Sequence, residues 1–224
     1  MARHLDLEEQ EQLDELKHFW NQWGNLITWF LIGVFGAFAA WNGWNYWQRT
    51  EAIKASALYD EVERAATAGD AGRVDQAVKD LQDKYGRTAY AQQGSLLAAR
   101  FFTEQAKPDQ ATAALKWAAE EAKDEGLQAV ARLRLASVLV EGKAYDDALK
   151  QLGAMPKEFE ALAADRRGDI FKLQGKKEEA KAEYLKAWKG FEAGTEYRGL
   201  VEVKLTALGV DVQALKAPAE SAKS

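Results

Sequence analysis

"DRRGDIFKLQGKKEEAKAEYLKA", residues 165–187, sets a small residue at Gly168, an aromatic at Phe171, a second small residue at Ala180 and a large one at Tyr184. Residues three or four apart share a helix face, so the stretch reads as two helices joined by a short turn, with small side chains where they cross. The chain repeats this arrangement. "LLAARFFTEQAKPDQATAALKWA", residues 96–118, offers Ala99, Phe102, Ala111 and Leu115; "RLRLASVLVEGKAYDDALKQLGAM", residues 132–155, offers Ala136, Leu139, Ala148 and Leu152. The alanines at 111, 148 and 180 are 37 and 32 residues apart, bracketing the roughly 34-residue period of a helix-turn-helix solenoid. An earlier unit reads as Ala65, Ala77 and Leu81, interrupted by Gly69 and Gly72.

Outward from these units the composition agrees. Past Arg49 the chain is rich in Ala, Leu, Glu, Lys and Gln, has no alternating strand-like run, and carries proline only at Pro108 and Pro156 before the tail. It reads as all-α. "EYRGLVEVKLTALGV", residues 196–210, has Leu200, Val203, Leu205 and Leu208 near helical spacing and is expected to cap the last hairpin, as terminal repeats must. Residues 210–224, ending "KAPAESAKS", read as a disordered tail.

Upstream stands a segment of another kind, "HFWNQWGNLITWFLIGVFGAFAAWNGWNYWQ", residues 18–48. It holds six of the eight tryptophans and no Asp, Glu, Lys or Arg. Crossing hydrocarbon takes about 20 apolar residues. Trp20 and Trp23 at one end and Trp41, Trp44 and Trp47 at the other stand where interfacial aromatic belts belong. A cleaved signal competes with this reading, since Ala37-Phe38-Ala39 has a small-x-small form, but the region before it is long and acidic where a signal's is short and basic. The division expected is a short acidic segment over 1–24, a transmembrane helix over 25–47, a repeat domain over 48–209 and the tail. Gly33, Gly36, Ala37, Ala40 and Gly43 fall on one face of the span and would let another helix approach closely; small residues are also simply common in membrane helices. Arg3 and Lys17 before the span and Arg49, Lys54 and Arg64 after it do not settle orientation.

Charge and chemistry exclude several functions. The formal net charge is −5, of which the first 48 residues hold most, so no basic face for nucleic acid is expected. There is no cysteine, hence no thiol nucleophile or thiolate metal site. Both histidines, His4 and His18, precede the span, which leaves the repeats without imidazole. Adjacent carboxylates such as Glu120-Glu121, Asp146-Asp147 and Glu178-Glu179 point about 100° apart on a helix and belong to solvated faces. No enzyme activity, metal or cofactor is expected; solenoids of this kind bind other chains.

The units resemble the tetratricopeptide repeat, most closely over Gly168–Phe171, "QGKKEEA" and Ala180–Ala187. The first two units depart from it at Ala99 and Ala136, and Gly142 stands one place early. The resemblance implies a groove lined by the first helix of each pair: Gln93, Leu96, Arg100 and Thr103, then Val130, Leu133, Ser137 and Val140, then Asp165, Asp169 and Lys172. The leucines read equally well as core between helices. They also stand where the lysine-asparagine clamp for an acidic carboxyl tail would begin, which argues against that mode.

The whole order, "EEQEQLDELKHFWNQWGN", the span, "WNGWNYWQ", "ASALYDEV" and degenerate repeats with a capping helix, is similar to the bacterial ancillary SecYEG translocon subunit family over nearly all of residues 6–209. That resemblance implies a single-pass inner-membrane protein with a cytoplasmic amino terminus, lipid around its span and a periplasmic repeat domain. Its implied partners are the SecYEG translocon and a membrane-anchored periplasmic chaperone of the prolyl-isomerase kind, with newly exported proteins as clients. The alternative is a scaffold for envelope assembly or division.

Overall fold

The computed structural model describes residues 7–153 and 155–215, and among these every regular element is an α-helix. In chain order they are α1 (Leu7–Thr67), α2 (Ala71–Tyr85), α3 (Ala89–Glu104), α4 (Pro108–Glu121), α5 (Glu125–Glu141), α6 (Tyr145–Gln151), α7 (Lys157–Leu173), α8 (Lys177–Gly190) and α9 (Glu196–Ala207). The chain divides into two units, one up to Glu51 and one from Ala52 onward.

The first unit is the membrane span. Trp29, Phe30, Phe35, Phe38 and Trp41 are all exposed, so no part of the protein covers them and hydrocarbon is their natural surrounding. Its polar groups fit that surrounding. The Thr28 hydroxyl donates to the Gly24 carbonyl at 2.7 Å and the Asn42 amide to the Phe38 carbonyl at 3.0 Å, which satisfies in-helix donors that would find no water inside a bilayer.

The second unit is a solenoid of helical hairpins in which the end of α1, α3, α5, α7 and α9 are the first helices and α2, α4, α6 and α8 the second. Several first helices open on the residues best suited to it. Thr88, Asp124 and Thr195 accept from the backbone amides of Ala91, Leu127 and Arg198, and in the second helices Asp70 does the same for Arg73. The positions read from the repeat are core: Ala99, Ala136 and Gly168 are buried, and Ala111, Ala148, Ala180, Leu152 and Tyr184 are wholly enclosed.

The turn between the paired helices fixes the register of every unit. In each, a backbone amide just past the turn donates to the carbonyl five residues back: Lys107 to Phe102, Ala144 to Leu139 and Lys176 to Phe171. The residue before that amide takes positive φ: Ala106 at 54°, Lys143 at 59° and Gly175 at 75°. The same device appears at Asp70 to Ala65, with Gly69 at 72°. The earlier unit is therefore a true hairpin, and Gly69 is its turn. Its register differs by three residues from the sequence reading: Val62, Ala65, Val74 and Val78 stand where Ala99, Phe102, Ala111 and Leu115 stand, and Ala77 is not the counterpart of Ala111.

The device occurs a fifth time. Val210 donates to Leu205 and Gly209 has φ 79°, so α9 is the first helix of a further repeat, followed by one turn over residues 212–215. Its core face is Val201, Leu205 and, beyond the turn, Val212, while Leu200 and Val203 are exposed, contrary to the expected apolar face. The packed core thus reaches past the boundary at 209; the remainder of the tail, 216–224, lies outside the described residues.

Candidate functional site

Side by side, the first helices leave two clefts on their shared face, one on either side of α5. Between α3 and α5 the lining is Ala99, Arg100, Thr103, Glu104, Leu115, Arg134, Ser137, Val138 and Glu141, around a volume of about 310 Å³. Between α5 and α7 it is Leu133, Ala136, Ser137, Val140, Glu141, Leu152, Arg166, Asp169, Ile170 and Leu173, around about 250 Å³. Both have apolar floors and charged rims, the form of a side-chain pocket on a protein-binding surface. Ser137 and Glu141 border both clefts because they lie on the crest of α5.

Six of the residues expected in a groove are gathered here: Arg100, Thr103, Leu133, Ser137, Val140 and Asp169. Arg100 donates to Glu104 one turn on at 2.8 Å, and that carboxylate raises its affinity for the proton. Leu96 belongs instead to the core between helices, and Gln93, Val130 and Lys172 line neither cleft.

Asp165 is a correction. It is completely buried under α9, accepts from Lys204 Nζ at 2.7 Å and from the Tyr197 hydroxyl at 2.9 Å, and presents nothing to a groove. Lys204 also reaches Asp169 at 2.9 Å, and Asp169 accepts from the Tyr184 hydroxyl at 2.7 Å. Lys204 thus holds α9 to α7 through two carboxylates. Burial, then hydrogen bonding to Asp165, pushes the Tyr197 phenol up to about 12, and burial together with Asp169 pushes Tyr184 up further. A second tie joins units. Arg167 donates to Glu183 at 2.7 Å, to Glu160 at 2.6 Å and to the Leu152 carbonyl at 2.7 Å. Burial opposes the charge on Glu183, but Lys186 and Arg167 outweigh it and hold the carboxyl below its ordinary range.

The sequence reading missed Arg134, Glu141, Arg166, Ile170 and Leu173. In α7 the groove stripe is Arg166, Asp169, Ile170 and Leu173, rotated by one residue from the Asp165, Asp169 and Lys172 expected. Leu173, exposed yet large and apolar, was the available signal. Among the described residues no group of three or more His, Asp or Glu stands where it could hold a metal ion.

Along the span, Gly33, Gly36 and Gly43 each face open space: a β-carbon added there would meet nothing within 4 Å. Ala37 and Ala40 are likewise exposed.

Residues 17–210, span and repeats together, match the tetratricopeptide repeat-like domain family. The chain is 31% identical over 212 residues to the ancillary SecYEG translocon subunit of Neisseria gonorrhoeae, covering 93% of this chain and all of that one. It belongs to the ancillary SecYEG translocon subunit family. The Escherichia coli member is 31% identical across 83% of this chain and 86% of its own, and the Haemophilus influenzae member 32% identical across 81% and 89%. The crystal structure of MamA covers 73% of the chain at a TM-score of 0.45 and 20% identity. Family membership fits an assembly component that binds other proteins, and the clefts are its accessible apolar recesses on the repeat unit's inner face.

Proposed function

We propose that this chain is a non-enzymatic, single-pass inner-membrane subunit that accompanies the SecYEG translocon and offers its repeat clefts to other proteins on the periplasmic side. The observation that carries the reading is the 31% identity to the Neisseria subunit over that protein's full length, which spans the anchor and the repeats together. The amino terminus is cytoplasmic and the solenoid periplasmic. In that placement the clefts beside α5 engage either an exported chain or a membrane-anchored chaperone of the prolyl-isomerase kind, linking the translocon to folding help. Apolar floors with mixed-charge rims suit such partners better than nucleic acid or a small anionic metabolite. In the bilayer, lipid surrounds the span, and the Gly33, Gly36, Ala37, Ala40 and Gly43 face accepts a translocon helix.

Photo-crosslinkers placed singly at Gly36 and Ser137 of the full-length protein in living cells test this. Products with a translocon subunit from Gly36, and with an exported chain or chaperone from Ser137, are expected. Absence of both, with carbonate-resistant membrane attachment retained, overturns it. A periplasm-dependent reporter fused after Ser224 should be active, and activity of a cytoplasm-dependent one there reverses the orientation.

A further inference from the structure

The fifth turn leaves a seat without an occupant. In each complete unit a second helix packs on the first: Ala111, Ala148 and Ala180 are wholly buried there, followed four residues on by Leu115, Leu152 and Tyr184. In the fifth unit the register assigns Ala214 to the alanine position and Pro218 to the large one. Proline has no amide hydrogen for a helix interior and clashes with the preceding turn, so the sequence does not supply a second helix of the usual length. The outer side of α9 borders a concavity of about 900 Å³ lined by Gly199, Val203, Thr206, Ala207 and Val210 among others, and these five carry no charge. Val203 is 66% exposed, and a β-carbon at Gly199 would meet nothing within 4 Å.

We propose that a second copy of this chain covers the seat, with the two α9 helices packed antiparallel about a two-fold axis through Val203. Gly199, Val203 and Ala207 recur every four residues and form one ridge. In the antiparallel arrangement each residue meets the one equally far beyond Val203 on its partner: small Gly199 faces Ala207, Leu200 faces Thr206, and Val203 faces itself. Charge selects the same arrangement, because Glu202 comes level with Lys204 of the copy, whereas a parallel pair would set Glu196 on Glu196 and Glu202 on Glu202. An isologous contact of this kind closes at two copies. One helix face per copy is well below the roughly 1,200 Å² of a stable interface, so association depends on both copies sharing a membrane, where their effective concentration is high.

The chain has no cysteine, which permits a direct test on the full-length protein in its membrane. Mild oxidation of Val203→Cys should yield a disulfide-linked homodimer, about tenfold more than Glu178→Cys on the exposed side of α8, since cysteines with Cα atoms more than about 7 Å apart do not bridge. Gly199→Cys and Ala207→Cys made together should link to each other far more than either links alone. Dimer from Val203→Cys no greater than from Glu178→Cys overturns the proposal, as does a Val203→Cys adduct to another protein in place of the homodimer.

Discussion

Gly168 on α7 lies against the ring of Tyr184 on α8 so closely that a β-carbon on it would stand 2.5 Å from both Cδ1 and Cε1. The ring has nowhere to go: Tyr184 is wholly buried and its hydroxyl is fixed to Asp169. Gly168→Ala should therefore destabilise the repeat domain by about 1–3 kcal/mol, the usual range for overpacking. Gly199→Ala, also in a helix but beside open space, should stabilise it by roughly 0.5–1 kcal/mol through reduced backbone entropy of the unfolded chain. Urea midpoints of the domain from Thr50 onward should move in opposite directions; a common direction would mean that Gly168 is not the crossing point.

The turns make a second prediction. Ala106 and Lys143 hold positive φ where the other units use Gly69, Gly175 and Gly209. Left-handed backbone costs a residue with a β-carbon roughly 1–2 kcal/mol, partly offset by the greater freedom that glycine has when unfolded. Lys143→Gly and Ala106→Gly should each raise stability by about 0.5–1 kcal/mol, read as a higher urea midpoint at unchanged slope. Moving the glycine instead, as Gly142→Lys with Lys143→Gly, should keep most of the gain.

That pair of residues also shows what the sequence could and could not say. Small and large residues at helical spacing made the hairpins, their order and the membrane span legible, because those signals come from packing that repeats. Gly142 one place early looked like a blemish, and only the backbone angles reveal that Lys143 carries the turn. The first unit was misaligned for a related reason: its glycine marks the turn, but its small residues are Val62 and Val74, so matching alanine to alanine slid the register by three. Half of the groove was legible at Arg100, Leu133, Ser137 and Asp169. Asp165 was not, since its partners Tyr197 and Lys204 lie on a helix 32 and 39 residues away, and no local spacing records that pairing.

The clamp over Asp165 should set the alkaline limit of the domain. Tyr197 folds with its phenol raised to about 12 and Tyr184 is raised as well, from an ordinary value near 10. For a raised group the stabilisation is fully present below the unfolded value and is lost as pH rises through the folded one. Stability should accordingly fall between about pH 10 and 12, and absorbance titration should show two of the seven tyrosines ionising late or only with unfolding. Tyr197→Phe should flatten part of that slope. Lys204→Met, which strands a buried Asp165 carboxylate, should cost on the order of 3–5 kcal/mol. Glu183 works at the other end of the scale: held low by Lys186 and Arg167, it stabilises above its unfolded value near 4.5 and loses that contribution as pH falls through its depressed folded value, so Glu183→Gln should reduce acid sensitivity.

Ser137 offers a way to separate folding from binding. It stands on the crest of α5, exposed, and borders both clefts, while its hydroxyl does no more than return to the Leu133 carbonyl at 3.2 Å. Replacing it with tryptophan would lay an indole across the mouth of one cleft or the other without entering the core. Stability should change by no more than about 0.5 kcal/mol, as for other surface positions. Capture of partner proteins by the full-length chain should fall at least several-fold, since a filled pocket removes the apolar anchor site on which such interfaces depend. Gln93→Trp, exposed on α3 but outside both clefts, is the matched control and should leave capture intact. Equal loss from both variants would mean that bulk anywhere on the inner face interferes, and the clefts beside α5 would lose their claim to be the contact site. Unchanged capture by Ser137→Trp would move the binding surface elsewhere on the chain, with the membrane helix and its small-residue face the next place to look.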